Sequence, residues 1–327
     1  MAKVLGLGNA LVDVLISIEN DDILKKLNLP RGSMQLVDEH FLNLATENTK
    51  GLKQNIAAGG SAANTINGLA NLGVSCSFIG KIGTDKYGEY YHDDMVRNKI
   101  EPILLKGKAQ TGRATVFISK DSERTFGTYL GAAIEMVPEE LTSNLFDGYN
   151  IFHIEGYLVQ NHDLIRKAME LAHKQGVKVS LDLASYNVVE ANKEFLHEMI
   201  DKYVDILFAN EEEAKAFTGK TPQESLHEFA SLVDVAVVKL GSKGSIIKSK
   251  GKEASVGVIK VKSVDTTGAG DLYAAGFLYG LAKNLSLEQS GRIGAILSGK
   301  VIEYIGPKMD DKTWNEIHKL VKEVEMQ

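Results

Sequence analysis

Residues 149–183, YNIFHIEGYLVQNHDLIRKAMELAHKQGVKVSLDL, carry the pattern that decides the fold. The two ends, YNIFHI (149–154) and VKVSLDL (177–183), are short, rich in β-formers and mostly apolar. Between them HDLIRKAMELAHKQG (162–176) reads as an amphipathic helix closed by a glycine suited to a helix C-terminus. Strands apolar on both faces, joined through a helix, belong to a parallel sheet covered on both sides. The same kind of run recurs at KVLGLG (3–8), SCSFIG (75–80), DILFAN (205–210) and VAVVKLG (235–241). A second helix that ends on glycine is expected over SAANTINGLANLG (61–73). No repeat of fixed period interrupts this alternation. The expected class is α/β.

Two regions break the rhythm. Residues 13–38 hold strand-like DVLISIE and SMQLVD around a polar helical patch. Residues 111–130, TGRATVFISKDSERTFGTYL, read as a β-hairpin about a KDSE turn. Neither fits a strand–helix–strand unit, so a small separate sheet is expected, either a lid over a site or a decorative edge hairpin. The expected division is a core of residues 1–12, 39–102 and 132–327, with a discontinuous β lid of residues 13–38 and 103–131.

The 327 residues suffice for one large α/β domain or two ordinary ones. With 37 Lys and Arg against 43 Asp and Glu the net charge is −6, which gives no general attraction to nucleic acid or anionic lipid. Cys76 is the sole cysteine, which excludes an internal disulfide and a cysteine-based zinc site and fits a reducing compartment. The apolar opening MAKVLGLGNALVDVLISI contains Asn9 and Asp13 and lacks a following small-residue cleavage site. It reads as a buried first strand of a cytoplasmic protein, and no apolar run approaches membrane-spanning length.

Ligands of open α/β sheets bind beyond the carboxyl ends of the strands. The segments there include GNALVD, AAGGSAAN, GKIGTDKYG, DLAS, ANEEEA, KLGSKGS and DTTGAGD, which together collect glycines, carboxylates and amides. No G-x-S-x-G is present and the eight histidines avoid these loops, so a hydrolase nucleophile is not indicated. GLGNAL (6–11) begins like a dinucleotide fingerprint, but Leu11 fills its third small-residue position. GKT (219–221) follows a helix, with Ala214 where a P-loop needs glycine, and reads as a helix cap.

DTTGAGD (265–271) stands just before the helix-like LYAAGFLYGLA. Gly268, Ala269 and Gly270 let backbone N–H groups converge at a helix N-terminus, an anion hole suited to phosphate. Asp271 in the first helical turn is placed to take a proton from a hydroxyl that attacks phosphorus. A plain N-terminal helix carboxylate is the alternative.

Taken together these motifs resemble the PfkB, or ribokinase-like, carbohydrate and nucleoside kinases. DTTGAGD matches that family's D-[ST]-x-G-A-G-D signature, GKIGTDKYG its G-x-x-G-x-D-x-x-G, GGSAAN its G-G-x-x-x-N substrate loop, NEEE (210–213) its N-x-x-E and KLGSKGS its nucleotide-loop G-x-x-G, in the family's order over essentially the whole chain. The resemblance implies a ribokinase-like three-layer α/β/α domain, with a mostly parallel central sheet and a small β-sheet lid. It implies ATP as donor and Mg²⁺, with K⁺ as a further candidate. Asp271 would be the catalytic base, and Gly268, Ala269 and Gly270 the anion hole. Asn9, Asp13, Gly59, Gly60 and Asn64 would hold the acceptor. Asn210 and Glu213 would organise Mg²⁺ through water, while Lys239, Gly241 and Gly244 would contact ATP. Asp265 and Thr267 fall where a monovalent cation binds in the family.

GLGNALVD, the GGSAAN serine and ERTFGTYLGAA are most similar to the adenosine kinase branch, with Ala10 where that branch carries proline. There Arg124 corresponds to a lid arginine able to reach the transferring phosphate. No aromatic partner for a purine is identifiable in the sequence. The leading expectation is an ATP-dependent kinase acting on a hydroxymethyl group of a nucleoside or ribose-type sugar. A kinase of hexoses or sugar acids, of fructokinase or 2-keto-3-deoxygluconate kinase type, and a non-catalytic small-molecule sensor on the same fold are the alternatives. No nucleic acid or membrane partner is expected, and a monomer or a homodimer through the lid is.

Overall fold

The computed structural model describes residues 2–121 and 123–327. Ser122, in the expected hairpin turn, lies outside the described residues. Fourteen strands form two sheets among them. The smaller sheet takes β2 (Leu11–Ser17), β3 (Met34–Leu36), β4 (Gln54–Gly59), β7 (Gly112–Ile118) and β8 (Arg124–Tyr129). The larger takes β1 (Lys3–Leu7), β5 (Ser75–Ile82), β6 (Ile100–Lys106), β9 (Ile151–Glu155), β10 (Lys178–Asp182), β11 (Val204–Asn210), β12 (Val235–Lys239), β13 (Ser245–Ser249) and β14 (Lys252–Val256).

The large sheet runs β14-β13-β12-β11-β10-β9-β1-β5-β6, parallel from β12 to β6 and antiparallel only at the β12–β13–β14 edge. Its buried residues divide into two apolar clusters, one on each face. Helices Ser61–Asn71, Ala269–Ala282, Leu287–Val301 and Asp311–Glu325 contribute to one cluster, and Trp314 packs inward there. Helices His162–Lys174, Lys193–Tyr203, Glu211–Thr218 and Pro222–Leu232 contribute to the other. The three-layer α/β/α architecture is thus as the alternation of the sequence requires. No helix of the described residues is long and apolar enough to cross a membrane.

The small sheet runs β3-β8-β7-β2-β4. β7 and β8 form the expected hairpin, while β2 pairs parallel to β7 and antiparallel to β4. Two boundaries differ from those read in the sequence. β4 lies within the stretch assigned to the core but joins the small sheet, because its chain leads straight into Gly60 and the helix beneath. β6 begins before the boundary at residue 103 and runs past it, yet pairs along its length with β5 in the large sheet. Strand composition cannot tell which sheet a strand will join.

Helices Ser61–Asn71 and Ala269–Ala282 cross at close quarters on one face of the sheet. A Cβ on Gly68 would stand 2.6 Å from the Ala275 Cβ and 2.9 Å from Leu272 Cδ1. The crossing aligns the two helix N-termini, where GGSAAN and DTTGAGD sit. Replacing Gly68 with Val should separate the helices, lowering stability by about 1–3 kcal/mol, as overpacking does. Thermal denaturation checks this, and turnover should fall with it because the two loops part.

Candidate active site

The carboxyl ends of the parallel strands deliver Asn9 after β1, Glu155 from β9, Asp182 from β10, Asn210 from β11 and Lys239 from β12. Gly268, with φ of 76°, caps helix Ala269–Ala282 and lies against Pro307, 2.6 Å from where a Cβ would project. The left-handed backbone and the tight contact both require glycine. Asp271 follows in the first turn. Its Oδ1 accepts from Ser61 Oγ at 2.7 Å, its Oδ2 from Asn64 Nδ2 at 2.9 Å, and its backbone oxygen from Thr65 Oγ1 at 3.1 Å. Burial raises the Asp271 pKa to about 6, against the lowering effect of the Asn64 and Ser61 hydrogen bonds; Asp182 adds to the rise and Lys239 opposes it. A carboxyl group held near that value is ionised at neutral pH and able to accept a proton.

Asn9 and Gly60 meet beside it. Gly60 has φ of 96°, and a Cβ there would strike the Asn9 carbonyl oxygen. Asn9 and Ala62, two residues past Gly60, are held by Glu155, which sequence reasoning missed. Its Oε1 accepts from Asn9 N at 2.9 Å and Nδ2 at 2.8 Å, and its Oε2 from Ala62 N at 2.8 Å. This fully buried carboxylate thus ties the first strand to the start of helix Ser61–Asn71. Burial raises its pKa to about 7, while the three hydrogen bonds pull the other way. It ends an apolar strand as Asp13 interrupts one, and that signal was available in YNIFHIE.

Asp13 lies on the cleft-facing side of the small sheet, in register with Ala57 and Ala114. A Cβ on Gly59 would stand 2.6 Å from its Oδ2, so the missing side chain leaves room for the carboxylate. Burial raises the Asp13 pKa to about 7, with Lys308 and Arg124 acting against the shift. Arg124, on the same face, reaches the DTTGAGD loop. Its Nη1 donates to Thr267 Oγ1 at 2.9 Å, and Nη2 stands 2.8 Å from Asp265 Oδ2. Nη2 lacks a hydrogen-bonding angle there, so the pair is an ionic contact between side chains only 11% and 9% exposed. Asp265 also accepts from Thr267 N, Thr267 Oγ1 and Gly306 N. With the guanidinium against Asp265 and the Thr267 hydroxyl already engaged, these two residues do not fit a monovalent cation in this arrangement.

Asn210 and Glu213 form a reciprocal capping box. Glu213 accepts from Asn210 N at 2.8 Å and Nδ2 at 2.7 Å, and its own N–H donates to Asn210 Oδ1. Burial raises the Glu213 pKa to about 7, which Lys239 opposes and Asp182 reinforces. Among the described residues no three His, Cys, Asp or Glu side chains gather as a metal site. The pair suits a metal ion held through its waters, since each Glu213 oxygen keeps a lone pair beyond its bond to Asn210. Gly241 and Gly244 turn the chain after β12, and Gly244 packs on the Val256 carbonyl. A hollow of about 400 Å³ lies between residues 255–259 and helices Leu287–Val301 and Asp311–Glu325, with Arg292, Leu320 and Val324 on its helical side. The GKT segment is a cap, as read: Gly219 ends one helix and Thr221 begins the next.

A cavity of about 1070 Å³ lies between the small sheet and the strand ends. Asn9, Gly60, Ser61 and Glu155 line its inner end, and Leu11, Met34, Leu36, Phe126, Ile134 and Tyr157 line its walls. The pfkB family carbohydrate kinase profile matches residues 34–314. The chain belongs to that family. It is 32% identical to the adenosine kinase of Sinorhizobium meliloti, with a TM-score of 0.86 over 98% of this chain and 99% of that one. A probable sugar kinase of Rhizobium etli is 30% identical, with a TM-score of 0.87 over 100% and 99%. The nucleoside kinase of Methanocaldococcus jannaschii is 31% identical over 79% of this chain and 83% of its own. This pfkB protein is therefore a phosphotransferase for a sugar or nucleoside hydroxyl on a ribokinase-like fold.

Glu155→Ala would leave the Asn9 and Ala62 donors unsatisfied in a dry site. Stability should fall by roughly 3 kcal/mol. Calorimetry for acceptor and ATP separately should show the acceptor lost and the nucleotide kept.

Proposed function

We propose that this kinase phosphorylates the hydroxymethyl group of a nucleoside, with ATP as donor. The observation that carries the reading is the cavity wall. Met34, Leu36 and Ile134 border the cavity with 53%, 60% and 61% of their surface bare, and Phe126 and Tyr157 add aromatic faces. A free pentose offers hydroxyls on every side and cannot cover such a wall, whereas a nucleoside places a flat base against it. The volume, at the upper end for small-molecule sites, also exceeds what a lone sugar fills. Phe126 and Tyr157 are the aromatic residues that the sequence alone could not single out.

In this reading the ribose lies at the polar inner end, between Asn9, Gly60 and the Asp13 carboxylate. Asn64 Oδ1, a buried acceptor with no partner among the described residues, supports a ligand hydroxyl nearby. The triphosphate extends from the turn at Gly241 and Gly244 toward Gly268, Ala269 and Gly270. Mg²⁺, carried on ATP and held through water by Asn210 and Glu213, would neutralise phosphate charge. Asp271 takes the proton of the acceptor hydroxyl as its oxygen bonds to the γ-phosphorus. The bond from that phosphorus to the β–γ bridging oxygen breaks, and ADP keeps the electron pair. Arg124 reaches the transferring group from the lid side.

Asp271→Asn should preserve ATP binding while lowering turnover by roughly 10²–10⁴. In the unsubstituted enzyme kcat/KM should fall as pH drops through about 6, because the base must be ionised to act. A flat acid limb would remove Asp271 from that role.

ADP release from Mg·ATP should be measured across adenosine, inosine, ribose, fructose and 2-keto-3-deoxygluconate. A nucleoside should exceed ribose in kcat/KM by about 10²-fold, the yield of covering about 100 Å² of base at about 25 cal/mol per Å². Turnover of a free sugar alone would overturn the nucleoside assignment and keep the phosphotransfer chemistry.

A further inference from the structure

Asp182 and Lys239 end strands that flank β11. Asp182 is in register with Phe208, and Phe208 with Val237, two residues before Lys239. All therefore lie on one face of the sheet, the face where Phe208 meets Phe277 of helix Ala269–Ala282. Lys239 reaches back across β11, and its Nζ donates to Asp182 Oδ2 at 2.7 Å. The side chains are only 15% and 7% exposed. The same Nζ stands 3.1 Å from where a Cβ on Gly270 would project, so the ammonium lies directly against the glycine loop. A larger residue at position 270 would push it away.

We propose that Lys239, aimed by Asp182, is a catalytic cation of this kinase: its ammonium supports the anion hole from behind and carries charge from the phosphoryl group in flight. The proposal rests on Asp271 being the base. One carboxylate fixes the ammonium, and the ammonium's remaining N–H donors are free for phosphate oxygens. Asp182 is the positioning residue. Its other oxygen accepts from Ala184 N at 3.3 Å, within a turn where Ala184 adopts a φ of 70°. Such a conformation is costly without glycine and is concentrated at functional sites. The backbone of that turn also presses on Gly156, where a Cβ would lie 2.7 Å from the Leu183 carbonyl oxygen.

The electrostatics agree. Burial works against the Lys239 charge, but Asp182, Glu213 and Asp271 together hold its pKa above that of an ordinary lysine. A fixed cation in a site poor in water is worth far more to a developing phosphate charge than one in solvent. The same ammonium also lowers the pKa of the base. The groups facing Asp271 are Ser61 and Asn64 from the crossing helix, Asp13 from the small sheet, Glu155 and Tyr157 from the end of β9, Asp182, and Lys239. Lys239 is the cation among them.

The test compares pH profiles of kcat/KM and separate kcat and KM values for Lys239→Met, Lys239→Arg and Asp182→Asn. Lys239→Met should lower kcat roughly 10²-fold with the acceptor KM little changed, and should move the acid limb to higher pH. Asp182→Asn removes a carboxylate that raises the base, so its limb should move to lower pH while kcat falls as the lysine loses its aim. Lys239→Arg should restore the limb toward that of the unsubstituted enzyme. Opposite displacements support the pair, because a merely structural role moves neither limb. A limb unmoved in Asp182→Asn, with kcat preserved, would overturn the pair even if Lys239→Met failed to fold. A limb missing from the unsubstituted enzyme would overturn the base assignment and the pair with it.

Discussion

Everything at this site depends on two hydrogen bonds that join distant parts of the chain, from Ser61 and Asn64 to the carboxylate of Asp271. They are possible because two helices begin side by side, and the helices do so because Gly68 lets them cross against Ala275 and Leu272. A small residue in the middle of one helix therefore sets a geometry that is read at its end. The carboxylate gains two donors that stabilise its ionised form and surroundings that destabilise it. Its poise near pH 6 is the balance of those opposing effects.

Around that junction the molecule uses charge sparingly and in place. Glu155 holds backbone and amide donors, Asp265 shapes the loop before the glycines, and Asp85 ties the lid to the core. Asp85 caps helix Lys86–Arg97 through Tyr87 N and Gly88 N, and also accepts from Thr111 N at 2.8 Å, just before β7. In each case a carboxylate is spent on organising backbone, so that the groups meant for ligands stand free. Arg124 is the link across the cleft from the lid sheet, which makes the ionic contact with Asp265 the point at which lid and anion hole register one another.

The alternation of apolar strands and amphipathic helices was enough to give the class and the covered parallel sheet, since that pattern follows from burial on two faces. The glycine loop with Asp271 was legible because its chemistry is local, packed into seven residues. Asp182 and the cavity wall were not, because their meaning comes from what folds against them. Asp182 is ordinary until Lys239 crosses β11 to meet it, and Met34 and Phe126 matter as neighbours across two strands. Glu155 was legible in principle, as a carboxylate at the end of an apolar strand, but its partners Asn9 and Ala62 lie 146 and 93 residues away in the chain. The lid boundary misplaced β4 and part of β6, because pairing partners distant in sequence decide which sheet a strand joins.

The lid sheet is stitched from far-apart pieces, with Leu11 paired to Gly112 and Met34 to Phe126. Closing loops of that length costs entropy before any pairing returns it. β1, β5 and β6 lie between and beside these pieces in the chain. The consequence concerns synthesis and assembly. A chain emerging from the ribosome can complete neither the cavity beneath the small sheet nor the Arg124 contact until all five strands of that sheet are present, and it lacks Asp271 until that residue has followed. The site is thus assembled only when most of the chain is made.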